Sequence, residues 1–348
     1  MREIQTTGSV RVDLVGGTLD LEPLGLIIAQ TVTLNVATSL KAEVKIQEIS
    51  FAGIEIFSLD YKKEERITVD ELHSIAIYQE KKFGAFSLVI QILDFFNLKK
   101  NIRLELASGS PAGSGLGGSS AMGVTLYKAL CEYTHKKFEE TQAITVVRNI
   151  EARILNGPAG YQDFYPALYG GVLALEPKAY GVKRTQLFSS HLKKVLEENI
   201  TLVYSGKTRN SGINNWEVYK AFFDGKKEVV TGLTRIAEIS QRAYQAIITQ
   251  EWESLLSLIS EEGEVREKLF TGIMTSEMRT LYLELKKIND RIGIKVCGAG
   301  GGGCFLIIHP FLSLKDKELI HVLIQKHSMQ TLPFCIEAPL TTSADVRE

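Results

Sequence analysis

Residues 109–123 read GSPAGSGLGGSSAMG, with four glycines and three serines between Gly113 and Ser120. An apolar pattern at helical spacing follows at once: Met122, Leu126, Ala129, Leu130 and Tyr133. Ahead of it, residues 102–106 (IRLEL) alternate apolar and polar, as a strand does. The first N–H groups of a helix have no intrahelical acceptor and carry the positive end of the helix dipole. Glycines in front of them let the backbone close on a ligand and take positive φ. Serines cap the helix and offer hydroxyls to phosphate or metal. Strand, Gly/Ser loop and helix together make a phosphate cradle, so the loop is expected to wrap a polyphosphate rather than form a plain flexible turn.

Two familiar phosphate loops fit poorly. The pattern G-x-x-x-x-G-K-[ST] has its glycine interval in Gly113 and Gly118, but Ser119 stands where the lysine should be. The pattern G-x-G-x-x-G matches Gly113, Gly115 and Gly118. It lacks a short N-terminal βαβ unit ahead of it and an acidic residue about 20 positions on, at the end of a second strand.

Outward from the loop, the N-terminal part is rich in strand. Residues 10–15 (VRVDLV), 31–37 (TVTLNVA) and 41–49 (KAEVKIQEI) alternate. Residues 87–98 read as a helix with Leu88, Ile92 and Phe95 on one face, and residues 143–155 as another with Val147, Ile150 and Ile154. Residues 214–290 hold long helical patterns, such as Val229, Leu233, Ile236, Ala243 and Ile247. Residues 292–308 read strand, glycine loop, strand; a helix near 315–326 and a strand near 332–338 follow. Strands and helices without strict βαβ alternation indicate an α+β fold. The length of 348 residues favours two domains, with a boundary placed where Pro, Gly and Lys cluster in EPKAYGVK.

Hydrophobic residues make up 45% and charged residues 23%, the balance of a globular protein, and the formal net charge of −1 gives no reason to expect nucleic acid or a membrane surface as partner. The opening MREIQTTGSV lacks the apolar centre of a signal peptide, and no run has the length of a membrane span. Cys131, Cys297, Cys304 and Cys335 form no C-x-x-C pair, and the six histidines are scattered. They read as reduced thiols of a cytoplasmic protein with no zinc site.

The stretch PAGSGLGGSSA resembles the P-x-x-x-G-L-G-S-S-[SA] loop of the GHMP kinases, the family of galactokinase, homoserine kinase, mevalonate kinase and phosphomevalonate kinase. Residues 11–20, RVDLVGGTLD, resemble their first motif, R-V-N-L-I-G-E-H-T-D in its galactokinase form. Residues 296–308, VCGAGGGGCFLII, resemble their glycine-rich third motif. The three occur in order across almost the whole chain. The resemblance implies a domain like ribosomal protein S5 domain 2 over residues 1–180 and a ferredoxin-like domain over 181–348. Within the family, IEARILNGPAGYQDFYPALYGG (150–171) is similar to the D-glycero-D-manno-heptose 7-phosphate kinases, in which twelve residues separate a Glu from the Asp of G-x-Q-D, as Glu151 and Asp163 are separated here. YSGKTRNSG (204–212) resembles that branch's T-G-x-S-R-x-S segment.

This resemblance implies ATP and Mg2+ as cofactors and a phosphotransferase acting on a small-molecule hydroxyl, the anomeric one of a sugar or sugar 7-phosphate. Other GHMP acceptors, such as galactose or mevalonate, stay open, as does a ligand-sensing protein that no longer transfers phosphate. The nucleotide would lie on Pro111, Gly113, Ser114, Gly115, Leu116, Gly117, Gly118, Ser119 and Ser120. Ser119 and Glu151 would hold the metal, since a carboxylate and a hydroxyl suit a hard cation. Asp163 would be the general base, and Arg11 would steady the γ-phosphoryl charge or hold Asp163 ionised. Asp20, Gly16 and Gly17 would receive the acceptor, with Gly300 and Gly301 lining it; Lys207 and Arg209 would bind a phosphate already on it. Each has a plainer reading: N-capping serines, a solvated Glu151, a turn-forming Asp163, a strand Arg11 facing water, an exposed basic loop. Two departures stand out: Gly17-Thr18 replaces the galactokinase Glu-His pair, and Gly118 takes the place of the loop's first serine. A monomer or homodimer is expected.

Overall fold

The structure is a computed structural model that describes residues 3–50, 52–74, 78, 83–98, 101–208 and 213–340, the side chains of 213 and 214 excepted. Along the chain run β1 (Glu3–Val15), α1 (Leu24–Ile27), β2 (Thr33–Glu48), β3 (Ile54–Ser58), β4 (Lys63–Ile67), α2 (Val69–Leu72), α3 (Ser87–Phe95), β5 (Ile102–Ala107), α4 (Gly118–Tyr133), α5 (Glu140–Leu155) and α6 (Phe164–Tyr169). Then come β6 (Val172–Lys178), β7 (Gly181–Gln186), α7 (Ser190–Asn199), β8 (Ile200–Tyr204), α8 (Ile213–Phe223), α9 (Lys227–Ile248), α10 (Trp252–Leu269) and α11 (Ser276–Ile288). The series ends with β9 (Gly293–Val296), β10 (Cys304–Ile308), α12 (Leu314–Lys326) and β11 (Gln330–Leu332). The α+β class read from the sequence is the one observed.

These elements form two compact units. One holds Met1–Val10, Leu40–Ala112 and Gly117–Leu168; the other holds Arg11–Ser39, Gly113–Leu116 and Tyr169–Glu348. In the first, Glu43–Glu48 of β2 pairs antiparallel with β5, β5 lies parallel to β3, and β3 pairs antiparallel with β4. Alternation does the work here: Ile102, Leu104 and Leu106 of β5 are buried while Arg103 and Glu105 are not. Helices α3, α4 and α5 pack on one another. The apolar set of α4, Met122, Leu126, Ala129, Leu130 and Tyr133, is buried as its spacing required. Phe95 of α3 and Ile154 of α5, expected on buried faces, are 45% and 41% exposed. Both lie in the last turn of their helix, where the apolar stripe runs past its partner.

In the second unit, β6 and β7 form a hairpin that turns through Ala179 and Tyr180, with Pro177, Lys178, Gly181 and Lys183 of EPKAYGVK paired in its strands, and Thr33–Val36 of β2 pairs with β6. A separate antiparallel sheet has the order β11-β8-β10-β9. Its strands are nearly all apolar; Val203, Phe305, Ile307, Ile294 and Val296 join one core with Leu233 and Ile236 of α9, Met278 and Leu281 of α11, and Ile320 and Ile324 of α12. Each such side chain contributes about 1.5–3 kcal/mol on burial.

Two sequence expectations need correction. The strands expected at 31–37 and 41–49 are the single β2. Thr33–Thr38 is buried on both faces and Ala42–Ile46 on one, so the alternation changes without a turn. The strand expected near 332–338 stops at Leu332; beyond it Ile336 makes only a bridge to Thr38. None of the described helices is long and apolar enough to cross a membrane.

Candidate active site

Helix α4 starts without a side-chain cap. Its N-cap is Gly117 at φ +70°, and the first intrahelical bond runs from Ala121 N–H to the Gly117 carbonyl at 2.9 Å. By contrast, Ser189, Thr275 and Ser313 cap α7, α11 and α12 with their hydroxyls. The capping role read for the α4 serines is therefore not the one they play. Ser120, buried, donates its hydroxyl to Glu151 Oε2 at 2.8 Å, and Ser119 is exposed.

Glu151, on α5, is 7% exposed and is not a solvated helix residue. Burial pushes its carboxyl up to about 7; hydrogen bonds from Ser120 and Ser119 oppose this, and the charge of Asp163 adds to it. Asp163 is half-buried, just before α6. It packs on Gly117, where a Cβ would lie 2.9 Å from the Asp163 Cγ; both the positive φ and the close approach require glycine. Ser119, Ser120, Glu151, Asp163 and Gly117 are thus gathered at one helix start. Gly118, the departure from the family loop, has its reason here too: a Cβ would lie 2.8 Å from Ser108 Oγ and 2.9 Å from Ser110 Oγ.

The other unit holds the rest of the loop. Arg11 of β1 is 3% exposed, not facing water. Its N–H donates to the Leu116 carbonyl at 3.0 Å, and its Nη1 donates to the Gly115 carbonyl at 2.6 Å. Ser114 is gripped from the third motif: Cys304 N–H donates to its carbonyl at 2.6 Å. Gly303, at φ +72°, leaves no room for a Cβ, which would lie 2.6 Å from that same oxygen. Gly303→Ala is expected to lower stability by about 1–3 kcal/mol, through positive φ and steric conflict together, as read from urea unfolding. An unchanged midpoint would show that the two loops do not need this contact.

The remaining predicted residues divide. Asp20 and Thr18 are buried, and Gly16 accepts from the Thr33 hydroxyl at 3.1 Å. Thr18 has φ +80°, unusual for a β-branched residue, and its hydroxyl has no partner among the described residues. Gly301 N–H donates to the Ile273 carbonyl at 2.9 Å, while Gly300 packs on Ile273. Lys207 is exposed but held by Glu277 at 2.6 Å, which draws the Glu277 carboxyl down to about 2. Arg209 lies outside the described residues.

Oxygen donors from one carboxylate and one hydroxyl suit Mg2+, which takes few protein ligands and completes its shell with water and phosphate. The described residues contain no cluster of three or more His, Cys, Asp or Glu side chains placed to hold a metal.

Residues 73–171 match the family description "GHMP kinases N terminal domain". The chain thus carries a segment that matches the N-terminal domain of the GHMP kinases.

Relatives and structures agree with the family. The D-glycero-alpha-D-manno-heptose 7-phosphate kinase of Campylobacter jejuni is 24% identical over 329 residues, 89% of this chain and 91% of that protein. The mevalonate kinase of Saccharolobus solfataricus is 24% identical over 239 residues, 68% of this chain and 72% of that protein. The crystal structure of a D-glycero-D-manno-heptose 1-phosphate kinase from Bacteroides thetaiotaomicron superimposes with a TM-score of 0.70 at 20% identity, covering 96% of each chain. Both relatives are kinases, phosphotransferases with an alcohol group as acceptor.

Sequence reading missed four charged side chains: Asp13, Glu262, Arg266 and Lys295, none more than 2% exposed. Lys295 Nζ lies 2.9 Å from Asp13 Oδ2 and 3.0 Å from Glu262 Oε2, and Arg266 Nη1 lies 3.7 Å from Asp13 Oδ2. The available signal was charge inside two otherwise apolar strands, Arg11 and Asp13 in VRVDLV and Lys295 in GIKV. Asp13 also explains Gly17: a Cβ there would lie 2.3 Å from Asp13 Oδ2, so the galactokinase Glu has no room. All four cysteines are free; burial pushes the Cys297 thiol up to about 11, which suits no nucleophile.

Proposed function

We propose that the chain is an ATP- and Mg2+-dependent kinase that phosphorylates the anomeric hydroxyl of a sugar or a sugar 7-phosphate such as D-glycero-D-manno-heptose 7-phosphate. One observation carries the reading: a buried, cation-seeking Glu151 and the half-buried Asp163 stand together at an uncapped helix start behind a Gly/Ser loop. Phosphoryl transfer asks the protein to hold the triphosphate, neutralise its charge and orient the attacking hydroxyl, and little else. The backbone of Pro111–Ser120 would bind the phosphates, and Ser119 and Glu151 would hold Mg2+, which would supply positive charge against the triphosphate. Arg11 holds the loop's shape and adds positive charge. Asp163 takes or orients the hydroxyl proton. Residues 1–180 carry the nucleotide and the base, and residues 181–348 carry the acceptor side. Asp20 with Gly16, Gly17, Gly300 and Gly301 receives the acceptor. Lys207, once released from Glu277, and Arg209 take its phosphate. A nucleotide donor fits the cytoplasm.

The heptose-phosphate relative supports a sugar acceptor, matching along 89% of the chain. The mevalonate kinase match over 68% supports a second reading with a mevalonate-type acceptor. ADP release with ATP and Mg2+ decides between them, measured against heptose 7-phosphate, galactose, other hexoses, their phosphates and mevalonate. Turnover with a phosphorylated sugar alone is the expected result. Turnover with mevalonate alone overturns the sugar reading, and ATP binding without turnover on any acceptor favours a sensing role.

A further inference from the structure

Arg11 and Asp13 are two residues apart on β1 and therefore share a face. Arg11 grips the second motif, through the carbonyls of Gly115 and Leu116. Asp13 meets Lys295 of β9, at the entrance to the third motif. Lys295 also meets Glu262, and Arg266 follows Glu262 by one turn of α10. The guanidinium of Arg266 donates through Nη1 to the Val296 carbonyl at 3.1 Å and through Nη2 to the Gly298 carbonyl at 2.5 Å. Those are the last residue of β9 and the first glycine of the third loop. At the loop's far end, Cys304 N–H returns to the Ser114 carbonyl. The path closes: β1 to the second motif, to the third, to Arg266, to Asp13 and back to β1.

Stability alone does not account for two acids and two bases with 0–2% exposure. Taking such charges out of water costs several kcal/mol each, and well-packed apolar residues often serve a fold as well. What apolar residues cannot do is hold two carbonyls at a fixed separation. A guanidinium does that with a rigid fork; an ammonium is a point charge that does not reproduce it. Arg266 is also backed by the Phe270 ring, 5.3 Å from its central carbon.

We propose that Arg266, held in place by Asp13, Lys295 and Glu262, is a positioning residue that aligns the glycine-rich third loop and, through it, the Ser114 end of the phosphate loop. The effect on turnover rests on the kinase reading; the alignment does not.

Hydrogen exchange of the segment 298–304 tests the alignment without an acceptor. Arg266→Lys keeps the charge balance and gives up one carbonyl, so exchange there should rise about tenfold, the equivalent of one hydrogen bond. Asp13→Asn is isosteric, removes the anion between the two cations, and should move exchange the same way. Ile236→Ala, a core variant of the same unit, serves as the control for lowered global stability. For the kinase, Arg266→Lys should lower kcat about tenfold and leave KM for ATP within about threefold, because misalignment weakens the reactive geometry more than binding. A merely structural role would lower the active fraction without changing turnover per folded site. Exchange within twofold of wild type in both Arg266→Lys and Asp13→Asn overturns the proposal, as does a rise of equal size in Ile236→Ala. If the wild type transfers phosphate to no acceptor, the kinase reading falls and the exchange result still decides the alignment.

Discussion

Asp163→Asn is expected to lower kcat by roughly 10²–10⁴-fold and to leave KM for ATP near its wild-type value, if Asp163 is the proposed base. The substitution preserves volume, so the contact with Gly117 and the shape of the α4 start survive. On the proposed reading, it removes the group that accepts the acceptor's proton and the negative charge that orients the hydroxyl. Base catalysis acts on the transition state more than on the bound substrate, so the loss falls on kcat. Steady-state ADP release with whichever acceptor is turned over is the measurement. Wild-type kcat in the variant would remove Asp163 from the chemistry and return it to its plainer role in a turn.

The second large effect concerns Glu151 and needs no acceptor. Its ordinary value is 4.5, and burial holds it at about 7 in the folded chain. Between those two values the folded chain keeps a proton that the unfolded chain has released. The stability contributed by the neutral carboxyl is therefore fully present below pH 4.5 and is lost as pH rises through 7. The loss is on the order of 3 kcal/mol. Glu151→Gln cannot ionise and does not suffer it. In metal-free buffer, the stability of the variant relative to wild type should rise by that amount between pH 5 and pH 8, as read from urea unfolding. Parallel pH profiles would show that water or a cation already compensates the ionised carboxylate.

Much of this was open to reading from the residues, and the failures have physical causes. The phosphate loop announced itself because its chemistry is local: a run of glycines ahead of an apolar stripe has few other uses. Glu151 and Asp163 were found by their spacing, yet that spacing says nothing of Glu151's burial, which the packing of α4 against α5 decides. The plainer reading of the serines as caps fails because Gly117 takes the N-cap position and leaves them inside the first turn, where Ser120 donates to Glu151. Phe95 and Ile154 followed the right periodicity one turn too far. Asp13 and Lys295 escaped because a charge in a strand ordinarily faces water; only the fold brings each its counter-charge.

That last pairing bears on how the protein is made. Asp13 precedes Lys295 by 282 residues, so on the ribosome its carboxylate waits for most of the chain before its partner exists. The unit it belongs to also needs Gly113–Leu116 and everything after Tyr169, whereas the last segment of the other unit ends at Leu168. During synthesis, then, Glu151 and Asp163 can settle early, whereas Asp13 stays without Lys295 until β9 emerges. Contacts so distant in sequence are slow to close. Arg11–Ser39, which must wait for the rest of its own unit, is the part of the nascent chain that a chaperone would serve.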